Sequence, residues 1–209
     1  MENKEFLGTE KVGKLLFKLA VPSVIAQLVN LLYNMVDRIY IGHMADVGSL
    51  ALTGVGVCMP VIMLVSAFAC LVGMGGAPQV SICMGRKEHD KAEKIMGNCL
   101  TFLVSISIVL TVLLYIFGER LLLIFGASQN TIGYAVDYMK IYVLGTIFVQ
   151  MALGMNMFIT CQGFTKVSML SVIIGAVMNI VLDPILIFGL NMGVKGAALA
   201  TIISQAVSA

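Results

Sequence analysis

The chain has 209 residues, 59% hydrophobic and only 11% charged, with a net charge of +2 and a mean hydropathy of +1.00. Soluble domains carry about a quarter charged residues, so a water-facing globule is excluded, and the near-balanced charge leaves no polybasic face for nucleic acid. What remains is an all-α membrane protein. No charged residue occurs in residues 47–85, 95–118, 141–165 or 167–182, and a membrane span needs about 20 apolar residues.

In chain order, a segment at residues 1–14 precedes the first apolar run and is read as cytoplasmic; residues 15–209 are read as one transmembrane bundle. Apolar runs bounded by charge and glycine predict six spans, near 15–41, 54–84, 95–117, 138–161, 167–190 and from 196 onward. The first is too long for a signal-peptide core, so it is expected to be retained. Residues 196–209 cover about 21 Å of a ~30 Å hydrocarbon core, so the sixth helix is expected to be cut short. With the N-terminus inside, Lys4, Lys11, Lys14, Lys18, Arg86, Lys87, Lys91, Lys94 and Lys166 fall on inner segments, and Arg38, Arg120, Lys140 and Lys195 on outer ones. That excess places the N-terminus in the cytoplasm and the protein, many times threaded, in the cell membrane.

An ionised side chain at the centre of a spanning helix costs about 2.5–3.5 kcal/mol. Asp37 in the first span and Asp183 in the fifth therefore call for a reason, and both lie near the predicted outer ends of outward-running helices. Asn179 precedes Asp183 by four residues and shares its face, while Thr201 lies about one and a half turns into the sixth span. Oxygens gathered at one depth suit a proton or a hard cation such as sodium, and the spacing does not choose between the two. The competing readings are an interfacial acid beside Arg38 and a polar break before Pro184. Pro22, Pro184 and the glycines and prolines of the second span fit the bent helices that transporters use at hinges.

Other chemistries find little support. Residues 8–14 match G-x-x-x-x-G-K, but Leu15 replaces the Ser or Thr of a phosphate loop. There is no H-E-x-x-H, and His43 and His89 stand alone, so no metal site beyond a sodium at the acids is expected. A paired-aspartate intramembrane protease is the enzyme alternative; its Tyr-Asp and Gly-x-Gly-Asp motifs are absent. The five cysteines include no C-x-x-C pair and read as packing residues. No catalytic residues and no cofactor other than H+ or Na+ are expected.

The run Tyr33-Asn-Met-Val-Asp37-Arg-Ile-Tyr-Ile-Gly42, the Met84-Gly85-Arg86 turn, Gln162-Gly163, and Asn179-Ile-Val-Leu-Asp183-Pro184 together resemble the multidrug and toxic compound extrusion (MATE) transporters, bacterial branch. The resemblance covers essentially the whole chain and implies the first half of a twelve-helix, two-bundle exporter, with a C-terminal six-helix half as partner. It implies export of lipophilic, often cationic drugs in exchange for protons or sodium. The implied cation site is Asp37, Asn179, Asp183 and Thr201, with backbone help near Ala197; Gln27, Asn30, Asn34 and Asn156 are candidate walls of the drug cavity, and Pro22 is a candidate hinge. A flippase of lipid-linked saccharides and an inactive half-transporter are the alternatives.

Overall fold

The computed structural model describes residues 11–44 and 47–209, and among them every regular element is helical. Of the segment at 1–14, residues 1–10 lie outside the described residues, as does Lys4. Helix α1 (Val12–Gly42) runs unbroken through Pro22, whose ring is buried. Pro22 removes one N–H from the ladder, and the flanking turns carry the helix across it.

The second apolar run is 38 residues long, about 57 Å of continuous helix at 1.5 Å per residue and nearly twice a ~30 Å core. It is accordingly divided at Cys58 into α2 (Gly48–Val57) and α3 (Met59–Gly85), with Pro60 in the first turn of α3. Proline at that position loses nothing, because its N–H would be unpaired there anyway. Helix α4 (His89–Ile124) extends past the predicted 95–117 at both ends, carrying its charges on the extensions.

The fourth predicted span is two helices, α5 (Ile132–Leu144) and α6 (Thr146–Cys161), bent by 59° at Gly145. The turn tightens there: Gly145 N–H donates to Tyr142 and Phe148 N–H to Gly145, each three residues back, at 3.0 Å. A Cβ on Gly145 would overlap the Ile202 side chain, so the bend is packed against the last helix.

Helix α7 (Thr165–Pro184) passes into a single wide turn at Ile185–Gly189, closed by Leu190 N–H donating to Ile185 over five residues. Pro184 lacks the N–H that would continue the tighter ladder. Gly193, at φ 56°, reverses the chain into α8 (Val194–Ser208). A Cβ on Gly196 would lie 2.7 Å from the carbonyl carbon and oxygen of Leu186, so only glycine lets α8 start against that backbone.

Among the described residues, four segments are long and apolar enough to cross a membrane: α1, α2–α3, α4, and α7 with its wide turn. The bent α5–α6 pair makes a fifth, and α8 is a shorter apolar helix. The main core lies where α2, α3, α4, α5 and α8 meet, around Val55, Val61, Leu114, Tyr138, Met139 and Ala197. A second cluster of Val80, Ala92 and Phe158 with Met96, Met157 and Cys99 fills the α3–α4–α6 end. Helix α1 packs along α7, while Val24, Leu28, Leu31 and Met35 on its other side remain exposed.

Candidate functional site

Helices α1 and α7, which pack along each other, carry Asp37 and Asp183, and both side chains are buried, at 8% and 0% exposure. Arg38 does not neutralise Asp37 by pairing: its Nη2 reaches 3.4 Å to the Met59 sulfur on the outward side of α1. Adjacent helical residues point about 100° apart, which separates the two. Asn179 is fully buried one turn below Asp183 and donates its Nδ2 to Asp183 Oδ1 at 3.4 Å.

The consequence is a set of unsatisfied acceptors. Asp37 Oδ1, Asp183 Oδ2 and Asn179 Oδ1 are all buried without a hydrogen-bond partner. An orphaned buried polar atom costs about 1–3 kcal/mol, a cost that a donated hydrogen or a bound cation relieves. Oxygen-only donors of this kind fit a proton or a hard alkali cation and not a soft metal.

Thr201 lies on α8, which packs against α7. Its Oγ1 donates 3.0 Å to the Ala197 carbonyl, and its hydroxyl is in hydrogen-bonding reach of Tyr138, whose ring lies near Asp37. Ala197 is fully buried, and its carbonyl acts as the acceptor for Thr201. Tyr138 stacks on Tyr142 with ring centroids 6.0 Å apart.

Two residues not assigned a role from sequence complete the surroundings. Tyr33 lies one turn before Asp37, near both acids, and its hydroxyl accepts from Gln205 Nε2 at 3.4 Å. The i, i+4 relation of Tyr33 to Asp37, and of Gln205 to Thr201, was the available signal; the crossing of α1 with α8 that joins them was not.

Of the four candidate cavity residues, Gln27, Asn30 and Asn156 line one cavity of about 340 Å³ with Ser23, Thr160 and Ser168. A narrow extension shares Asn30 and Asn156 with it and is lined further by Tyr33 and Gln205. Asn34 is turned away: it donates to the Asn30 carbonyl at 2.7 Å and lines a separate groove of about 810 Å³ on the exposed side of α1, with Gln27, Asn30 and Arg38. Asn156 reaches the Ser168 carbonyl with Nδ2 at 3.5 Å, leaving its Oδ1 unpartnered. Thr160 donates to Ser168 Oγ at 2.9 Å.

Comparison with known proteins agrees with this architecture. The multidrug export protein MepA of Staphylococcus haemolyticus (strain JCSC1435) is 30% identical over 97% of this chain and 44% of its own length. A crystal structure of a MATE protein in the straight conformation superposes with a TM-score of 0.90 at 26% identity, over 100% of this chain and 45% of that one. A MATE protein in the bent conformation gives 0.86 at 27% identity, over 94% and 43%. The chain spans about half the length of the curated relatives it matches. The MatE family model matches residues 22–185, most of the sequence and a span that includes both acids, and the chain therefore belongs to the MatE family.

Proposed function

We propose that this chain forms one six-helix bundle of a membrane exporter that expels lipophilic, often cationic small molecules in exchange for protons or sodium ions. The observation that carries the reading is that Asp37 Oδ1, Asp183 Oδ2 and Asn179 Oδ1 are each buried and unpartnered, on two helices, α1 and α7, that pack along each other. Thr201 and the Ala197 carbonyl complete this proposed cation site from α8. The substrate cavity is the 340 Å³ space lined by Gln27, Asn30 and Asn156. Its N-terminus lies in the cytoplasm and the bundle in the cell membrane, with a C-terminal six-helix half as its partner; the relatives' greater length supports that pairing.

Coupling follows from α1 belonging to both places. Without a cation, two nearby carboxylates repel; a proton or sodium ion removes that repulsion and lets α1 draw toward α7. Ser23, Gln27 and Asn30 lie on the same helix, so its movement, with Pro22 and Pro184 as hinges, reshapes the cavity wall. The cation shifts the equilibrium only by its differential affinity for the two conformations. The membrane potential adds about 2.3 kcal/mol per charge per 100 mV. Flipping of a lipid-linked pyrophosphate draws less support, because no Lys or Arg lines the 340 Å³ cavity or its extension.

The test is efflux of a fluorescent lipophilic cation from cells expressing the complete reading frame, with the proton or the sodium gradient collapsed in turn. Loss of efflux with one gradient supports exchange and names the ion. Efflux indifferent to both overturns it.

A further inference from the structure

Away from the acids, at the end of the bundle where α4 meets α5, Glu119 and Lys140 line one crevice of about 180 Å³. Glu119 is the first charge after the apolar run 95–118, and Lys140 the last before the run 141–165. Both therefore sit at the edge of the hydrocarbon, at headgroup level. They face the same space but form no ion pair with each other or with any described residue. The crevice floor is buried and apolar, made of Leu114, Leu122 and Met139. Its depth depends on Gly118, where a Cβ would overlap the terminal methyl of Met139.

We propose that this crevice binds the headgroup of a zwitterionic phospholipid with a primary ammonium, its phosphate toward Lys140 and its ammonium toward Glu119. The polarity of α4 chooses a lipid over a soluble zwitterion. Ile108, Val112, Tyr115 and Glu119 follow one another at i, i+4, i+7 and i+11, one face of the helix. The first three are exposed apolar or aromatic side chains, about half accessible, and Glu119 is the first charge to follow them on that face. From Ile108 to Glu119 it runs about 16 Å, half of a ~30 Å hydrocarbon core and so the reach of one leaflet's acyl chain. Tyr115 stands at the boundary, where amphipathic aromatic rings settle. A primary ammonium donates charge-assisted hydrogen bonds to a carboxylate, which the trimethylammonium of a choline headgroup cannot do.

Native mass spectrometry tests this on the protein from its complete reading frame, released from equal mixtures of phosphatidylethanolamine, phosphatidylcholine and phosphatidylglycerol. The ethanolamine lipid is expected to be retained about fivefold over the other two, the upper end for an ion pair that solvent reaches. Glu119→Gln and Lys140→Gln should each reduce that preference to parity. The exchange Glu119→Lys with Lys140→Glu, which keeps both charges, should restore it with the headgroup reversed; its recovery separates lost binding from lost folding. No preference in the wild type, or a preference that survives both single substitutions, overturns the proposal. So does a glycerol-lipid preference sensitive to Lys140 alone, which marks a simple anion contact.

Discussion

Replacing Asp183 by Asn is the sharpest probe of the cation site. The side chain keeps its volume and loses its charge. Its new amide can turn to Asn179 Oδ1, which has no partner at present, so the fold should hold. A unit charge about 3 Å from a bound cation contributes about 5 kcal/mol at an effective dielectric of 20. Relief of the carboxylate's own desolvation offsets roughly half of that. The remainder, about 2.7 kcal/mol, corresponds to about a hundredfold weaker cation binding. For a proton the loss is complete, since an amide does not titrate in this range. The assay is drug uptake into proteoliposomes holding the full-length protein under an imposed ion gradient, with secondary structure followed by circular dichroism. Asp183→Asn should retain its helicity and lose the gradient-dependent flux; Asp37→Asn should do the same. Undiminished gradient-dependent flux in both variants refutes the reasoning.

Three other outcomes follow from the packing. Gly196→Ala drives a methyl group against the Leu186 carbonyl, a backbone obstacle that cannot rotate away; a loss of about 2 kcal/mol is expected, seen as a lower melting temperature in detergent. Gln150 donates 2.9 Å to the Val65 carbonyl, but its own Oε1 is buried and unpartnered. Gln150→Leu therefore exchanges one hydrogen bond for one removed orphan and should change stability by less than about 1 kcal/mol, whereas a large drop in melting temperature would mean that an unseen partner satisfies that oxygen. Asn156→Ala enlarges the 340 Å³ cavity and deletes an unpartnered acceptor without touching the acids; it should raise KM for export several-fold while leaving the ion dependence in place, and an altered ion dependence would count against two separable sites.

The features legible in the sequence are those set by local patterns. Charge-free runs marked the apolar helices, because each charge within a span is costly. The acids stood out for the same reason, and the four-residue step from Asn179 to Asp183 was enough to join them on one face. The division at Cys58 was not legible: the sequence predicts one span near 54–84, and the helix pair at 48–85 starts six residues earlier. The bend at Gly145 was not legible: it lies inside the run 141–165, which has no charge or proline to mark it, and its cause is Ile202 some 57 residues away in the chain. Tyr138 and Gln205 escaped notice for a related reason. Gln205 meets Tyr33 only through the crossing of α1 with α8, and neither Tyr138 nor Gln205 is an unusual type for its own helix.

The geometry also explains why α1 is poorly buried in this bundle yet carries so much of the polar inventory. Its inward side holds Ala26, Tyr33 and Asp37 against α7 and α8, while Val24, Leu28, Leu31 and Met35 face outward along the 810 Å³ groove. A helix fixed on both sides by close packing could not shift without opening cavities, at about 24 cal/mol per Å³. A helix packed along one side only, as α1 is against α7, can. The inner contacts of α1 are long, 3.4 Å from Tyr33 to Gln205, and the acids leave oxygens unspent. On the proposed mechanism, binding a single cation there adds attraction to that one-sided packing. On this argument α1 is the element on which a small change of charge has the largest mechanical effect, and tightening its inner face by substituting apolar residues for both Tyr33 and Gln205 should slow exchange even with Asp37 and Asp183 intact.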